Sequence, residues 1–178
     1  FAAGTTTAAI TAGGDAPGMI VTTEIYNGTA WTEVAGDLNT ARTGMPGVGT
    51  TTDALGIGGE IAGSPYRTAL VESWNGTSWT ETADLNTARG FQGAAGIATA
   101  AIVAGGDLGP PGLTAVTESW NGTAWTEVAD LATAKALTAS FGTSTSALVA
   151  SGSVTPVQAQ TEEWTVPQTI TNVTVSSS

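Results

Sequence analysis

One nine-residue phrase occurs three times in this chain. Ile25-Tyr26-Asn27-Gly28-Thr29-Ala30-Trp31-Thr32-Glu33 comes back as Ser73-Trp74-Asn75-Gly76-Thr77-Ser78-Trp79-Thr80-Glu81, and again as Ser119-Trp120-Asn121-Gly122-Thr123-Ala124-Trp125-Thr126-Glu127. Successive copies of the second tryptophan lie 48 and 46 residues apart, and a degenerate fourth copy ends at Glu162-Glu163-Trp164. The pairs Gly13-Gly14, Gly58-Gly59 and Gly105-Gly106 keep the same phase upstream, with Ser151-Gly152 in the fourth slot. Downstream, Asp37-Leu38-Asn39-Thr40-Ala41-Arg42 is echoed by Asp84 to Arg89 and Asp130 to Lys135. A fixed period of this size marks arrays in which each unit buries its faces against copies of itself.

Each unit reads as four strands, and nothing in it has helical periodicity. In the third unit the first strand spans Gly90 to Ile97. The second, Ala100-Ala101-Ile102-Val103-Ala104, is almost wholly apolar and stops at Gly-Gly, as expected of a strand buried on both faces. The third, Ala115 to Trp120, meets the fourth, Ala124 to Val128, across Asn121-Gly122. Asn-Gly between two β-type runs predicts a type I′ hairpin turn, which needs positive φ at both positions. The loop after Gly-Gly varies instead: Asp15-Ala16-Pro17-Gly18, Ser64-Pro65-Tyr66-Arg67, or Asp107 to Gly112. Constant hairpins beside changeable loops imply a rigid scaffold that presents variable surfaces. Thr-rich residues Gln168 to Ser178 are expected to supply the last outer strand.

The apolar strand ending in Gly-Gly, the aromatic (Tyr26, Trp74, Trp120), the later Trp and the polar turn before Arg resemble the kelch repeat of β-propellers. The spacing between the aromatic and the Trp is slightly shorter than is usual in that family. The resemblance covers essentially the whole chain and implies an all-β, kelch-like propeller of four-stranded antiparallel blades, spanning residues 1–178 as one domain. The blades fall near 1–37, 38–84, 85–130 and 131–178, with Phe1 opening inside a motif that later copies show in full. Four repeats fit a closed four-bladed ring or part of a larger one. The wording around Glu-Ser-Trp-Asn-Gly-Thr is also similar to repeats of marine bacteriophage tail or fibre-type structural proteins.

Composition narrows the function classes. With 15 acids against 4 bases the net charge is −11, so nucleic acid is not an expected partner. The chain has no Cys and no His, which removes disulfides, thiolate metal sites, cysteine nucleophiles and the commonest general base. No apolar stretch is long enough to span a bilayer, so membrane insertion is not expected. Kelch-like propellers include a copper-dependent sugar oxidase, but that chemistry needs imidazole ligands and a thioether-linked Cys–Tyr pair. A glycosidase needs only two carboxylates, yet most acids here recur at repeat-equivalent positions, whereas a single active site breaks the symmetry.

Trp31, Trp74, Trp79, Trp120, Trp125 and Trp164 are in phase and are expected to be inter-blade wedges, with Trp31, Trp79 and Trp125 as the repeated core alongside Gly14, Gly59 and Gly106. Arg42, Arg89 and Lys135 recur before each first strand. They are expected to pair with a local acid such as Asp37, Asp84 or Asp130, or with a Glu of an adjacent blade, the alternative being a ring at a channel mouth. Asp15, Glu60 and Asp107 directly follow Gly-Gly. No stretch places acids at alternate positions as a dense calcium loop does, so turn capping is expected of them and no metal or other cofactor is assigned. Asn27, Asn75, Asn121 and Asn172 each satisfy the glycosylation sequon, although the hairpin already accounts for the first three. The candidate ligand contacts are therefore the variable-loop residues Asp15, Pro17, Glu60, Tyr66, Asp107 and Pro110, and no catalytic residue is assigned.

The function expected from these readings is a non-catalytic binding or structural module of an extracellular or virion-surface assembly, such as a phage tail fibre. Its partners would be other subunits, copies of itself included, or a cell-surface glycan. The alternatives are a glycan-processing propeller enzyme and a secreted surface adhesin.

Overall fold

In the computed structural model the described residues are 1–63, 66–110, 112–150, 152–153, 160–166 and 169–173. They form sixteen strands in four antiparallel sheets, arranged as the four blades of a β-propeller, with no helix among them. Blade 1 comprises β1 (Ala2–Gly4), β2 (Ala9–Asp15), β3 (Met19–Tyr26) and β4 (Trp31–Val34). Blade 2 comprises β5 (Gly47–Gly49), β6 (Ala54–Ile57), β7 (Val71–Trp74) and β8 (Trp79–Glu81). Blade 3 holds β9 (Gly93–Ile97), β10 (Ala100–Ala104), β11 (Thr117–Trp120) and β12 (Trp125–Val128). Blade 4 holds β13 (Ala139–Gly142), β14 (Ser146–Ala150), β15 (Thr161–Thr165) and β16 (Thr169–Val173), the last being the outer strand expected from the tail. Each sheet pairs its strands in sequence order, so every blade is drawn from one contiguous stretch.

The apolar second strands are buried because a blade has neighbours on both faces: all four residues of β6 and the last four of β10 are inaccessible. Trp79 shares a buried cluster with Ile10 and Ala12 of blade 1 and with Leu38 of the linker that follows it, and its ring meets Phe1 edge-on at 5.5 Å. Trp125 is buried with Val48, Leu55 and Ile57 of blade 2, and Trp164 with Ala95 and Ile102 of blade 3. The indole therefore does work as a wedge in those three places. Trp31 departs from the expectation: it is 48% exposed, and among the described residues no buried hydrophobic cluster joins blade 1 to blade 4.

The hairpin between third and fourth strands also differs from the sequence reading. Tyr26 pairs with Trp31, Trp74 with Trp79 and Trp120 with Trp125, which leaves four-residue loops and no two-residue type I′ turn. Gly28, Gly76 and Gly122 have φ near +90°, but their asparagines do not have positive φ. Each Asn instead turns its side chain inward. Asn27 Oδ1 accepts the backbone N–H of Thr29 and Ala30, both at 3.0 Å, and Asn75 and Asn121 do the same. The side chain caps the loop beneath the cross-turn backbone bonds, in which the N–H of Asn27, Asn75 and Asn121 donates to the carbonyl of Ala30, Ser78 and Ala124, a familiar role of Asn in loops.

The first strand of blade 3 begins at Gly93 and not at Gly90. Phe91, at φ +58°, interrupts the extended run, and Leu137 repeats this at φ +56° in blade 4 where blade 2 has Gly44 at φ +61°. A backbone bond runs from Phe91 N–H to Gly44 O (2.6 Å) and from Leu137 N–H to Phe91 O (2.8 Å), stitching successive blades at equivalent positions. The cost of a left-handed non-glycine residue, roughly 1–2 kcal/mol, is borne where that stitch requires it.

Candidate functional site

The in-phase basic residues are core parts. Arg42 is fully buried: its Nη1 donates to Gly58 O (2.8 Å) and Leu70 O (2.7 Å), and its Nη2 donates to Glu72 Oε1 (2.8 Å). Arg89 repeats the set on Gly105 O (3.2 Å), Val116 O and Glu118, and Lys135 Nζ lies 2.8 Å from Glu162 Oε1. Burial draws the Arg42 and Arg89 guanidinium groups below their ordinary pKa, and the neighbouring Glu72 and Glu118 carboxylates oppose that pull. The partners expected from sequence are corrected here. Each cation meets a glutamate on the third strand of the blade it leads into, while Asp37, Asp84 and Asp130 accept the backbone N–H of Thr23, Val71 and Thr117. Nor do the cations ring a channel mouth, since all three are buried.

The same residues bind the preceding blade through their carbonyls. Gly14, Gly59 and Gly106 donate to Arg42 O, Arg89 O and Lys135 O at 2.9, 2.8 and 2.8 Å. Glycine is required just before: at Gly58, φ is +58° and a Cβ would stand 2.6 Å from Arg89 O. Gly-Gly and the basic residue, which look like separate motifs along the chain, thus form one joint between blades. Ser151 of the fourth slot lies outside the described residues.

The variable loops meet on one side of blades 2 and 3. Arg67 bridges them, with Nη1 2.6 Å from Glu60 Oε1 and Nη2 2.7 Å from Asp107 Oδ2, and its guanidinium carbon lies 5.3 Å from the centroid of the Phe91 ring. The strained backbone of Phe91 therefore also places its ring beneath a cation, a contact worth about 0.5–1 kcal/mol at such a site. Burial works against the Arg67 charge, but the hydrogen bonds to Asp107 and Glu60 outweigh it and raise its pKa above the ordinary value. For Asp107, desolvation pushes upward and is overcome by the hydrogen bonds from Arg67 and the Gly109 amide, which hold the carboxyl below the usual value. Tyr66, next to Arg67, is 56% exposed, and Pro110 is exposed beyond Asp107. Asp15 takes no part in this bridge: its Oδ1 accepts the Gly18 amide at 3.0 Å, and Asp15 and Pro17 are exposed. The sequence reading placed Glu60, Tyr66, Arg67 and Asp107 in variable loops but gave Arg67 and Phe91 no role; Arg67 belongs to no repeat, and Phe91 stands at the place of Gly44 and Leu137. Arg67 being the one base out of phase with the other three was the available signal.

Because the Asp107 carboxyl is lowered in the folded state, the stability it contributes is present above its unfolded value of 3.8 and is lost as pH falls below that, through the folded pKa. Acid titration followed at the Tyr66 and Phe91 resonances should show the bridge releasing in that window, and Asp107→Asn should abolish the step.

A second concavity lies where the four first strands converge. About 220 Å³ in volume, it is lined by β1, β5, β9 and β13 residues, among them Gly4, Val48, Ala95, Ser140 and Phe141. Small side chains and backbone make up most of its wall, and none of the lining residues is titratable, so it offers no acid or base. Among the described residues no group of three or more acidic side chains is placed to hold a metal ion. No protein-family model matches the chain, and no curated protein matches it either.

Proposed function

We propose that this chain is a non-catalytic binding and structural module, a kelch-like propeller unit of an extracellular or virion-surface assembly, whose variable loops contact a host-surface glycan or a neighbouring subunit. The observation that carries this reading is the employment of the charged groups. Every base is committed to a carboxylate within the fold, and the best-placed acid pair in the loops, Glu60 and Asp107, is held by one arginine between them. A glycosidase needs one of two facing carboxyls kept protonated near neutral pH, and Asp107 is pulled the opposite way. The phage-like wording of the repeats points to the virion setting, and the strongly anionic composition suits a secreted or particle-borne protein that must stay soluble.

A glycan array with the purified chain tests the proposal, read together with a hydrolysis assay on every glycan that binds. The exposed ring of Tyr66 offers a face on which a sugar can stack. Binding without turnover that is lost in Tyr66→Ala is the expected result. Release of reducing ends would replace this reading with the enzymatic one.

A further inference from the structure

The loops that join third to fourth strands in blades 1, 2 and 3 bring together the parts of an intramolecular reaction. In each, an exposed asparagine precedes a glycine: Asn27-Gly28, Asn75-Gly76 and Asn121-Gly122. The loop demands that glycine, because φ there is +93°, +93° and +91°, where a side chain is strained. Glycine is also the residue that least hinders its own backbone nitrogen. These nitrogens are not tied down, since the N–H of Gly28, Gly76 and Gly122 donates to no described residue.

The side-chain carbonyl beside each nitrogen is polarised. Asn27 Oδ1 accepts the N–H of Thr29 and Ala30 at 3.0 Å each, Asn75 Oδ1 those of Thr77 and Ser78 at 3.0 and 2.9 Å, and Asn121 Oδ1 those of Thr123 and Ala124 at 2.9 Å each. Two donors on one carbonyl oxygen are what stabilises an oxyanion when a nucleophile adds to the carbon. The main-chain carbonyls of the same three asparagines accept no bond from a described residue.

We infer that Asn27, Asn75 and Asn121 are self-modifying sites, which deamidate through a cyclic imide that the loop opens to aspartate in preference to isoaspartate. The glycine nitrogen loses its proton to solvent and bonds to Cγ, the carbonyl electron pair moving onto Oδ1. Collapse of that oxyanion breaks the Cγ–Nδ2 bond, and Nδ2 takes up a proton and leaves as ammonia. Water then opens the imide at one of its two carbonyls. Addition at Cγ returns the negative charge to Oδ1, under the same two N–H groups, and cleavage of the bond from Cγ to the glycine nitrogen restores an ordinary peptide with Asp in place of Asn. Addition at the main-chain carbonyl lacks those donors. It gives isoaspartate, which adds a backbone atom to a loop already closed by the bond from Asn27 N–H to Ala30 O (3.2 Å) and its equivalents.

Aspartate keeps the cap and brings charge to a place that has little. Gly28, Gly76 and Gly122 lie over Thr7, Thr52 and Thr99 in the turns between first and second strands. Among the described residues, those turns and the three Asn-Gly loops hold one charged residue, Asp53. Three conversions add three negative charges to the net −11 and place all of them on that end of the blades.

The test incubates the full chain at neutral pH beside the same chain in urea, with peptide mass spectrometry that separates Asp from isoaspartate. Each of the three sites should gain the mass difference between an amide and an acid, with ammonia released one for one and a rate that rises with pH. In the folded chain Asp should be the main product, its ratio to isoaspartate exceeding that in urea about tenfold or more. Asn39 and Asn86 are internal controls: each precedes Thr, has its side-chain amide on Glu72 or Glu118, and should stay intact while the chain is folded. Asn27, Asn75 and Asn121 remaining intact in the folded chain while the chain in urea converts would overturn the inference. So would the same product ratio in both states.

Discussion

Glu118→Ala should destabilise the protein by about 3–5 kcal/mol, because it strands Arg89 with its charge in the interior. Arg89 and Glu118 are both wholly inaccessible, and the carboxylate also accepts the backbone N–H of Asn86 and Thr87, so removing it orphans the linker as well as the cation. A domain of this kind has roughly 5–15 kcal/mol of stability in total, and the variant should therefore unfold at a much lower denaturant concentration than the parent. Arg89→Met combined with Glu118→Leu should recover part of the loss, since two apolar side chains leave no uncompensated charge. The Asn86 and Thr87 amides remain unpaired in that double variant, which sets the limit on recovery. A double-mutant cycle by urea unfolding measures the coupling. An Arg89–Glu118 coupling near zero would mean that the pair is incidental to the fold.

Trp79→Ala and Trp31→Ala should differ sharply although the two residues occupy equivalent places in the repeat. Trp79 is 5% exposed, packs edge-on to Phe1, lies 5.5 Å from the ring of Trp74, and donates its indole N–H to Thr23 Oγ1 of blade 1 at 2.9 Å. Truncation there opens a cavity between two blades and leaves the hydroxyl of Thr23 without its donor, for an expected loss of about 3–5 kcal/mol. Trp31 has a tilted contact with Tyr26 at 5.3 Å and otherwise faces solvent, so its loss should cost about 1 kcal/mol. Thermal unfolding of the two variants side by side makes the comparison. Equal losses would show that Trp31 is packed in solution as Trp79 is.

How much of this was legible in the residues depended on whether the signal repeats. The strand pattern, the Gly-Gly stops and the wedge role of Trp79 and Trp125, and of Trp164 at the third-strand place of Trp74 and Trp120, follow from phase, because a core position recurs wherever the same packing recurs. Pairing was not legible to the same degree. Arg42 has Asp37 five residues away in the chain but meets Glu72 thirty residues on, since the linker crosses the blade it leads into before its first strand begins. A glutamate at the same place in every third strand, Glu24, Glu72, Glu118 and Glu162, was the clue: a recurrent acid beside buried positions needs a recurrent cation. The Asn-Gly turn was misjudged because a propensity for positive φ competed with the capping ability of the Asn side chain, and capping won. Arg67 carries no phase, and Phe91 shares its place with Gly44 and Leu137, neither of which has a ring, so their meeting with Glu60 and Asp107 becomes visible only once the loops are folded side by side.

Since each sheet is threaded from one uninterrupted stretch and none borrows a strand from the far end of the chain, the unit of change in such a protein is the whole repeat. Duplicating or deleting some 46 residues adds or removes a finished sheet with its own linker cation and acceptor glutamate, without rerouting the polypeptide elsewhere. A lineage built this way can lengthen or shorten its array in single genetic steps while its loops diverge independently, and the near-verbatim hairpins beside unlike loops in this chain are what such a history would leave behind.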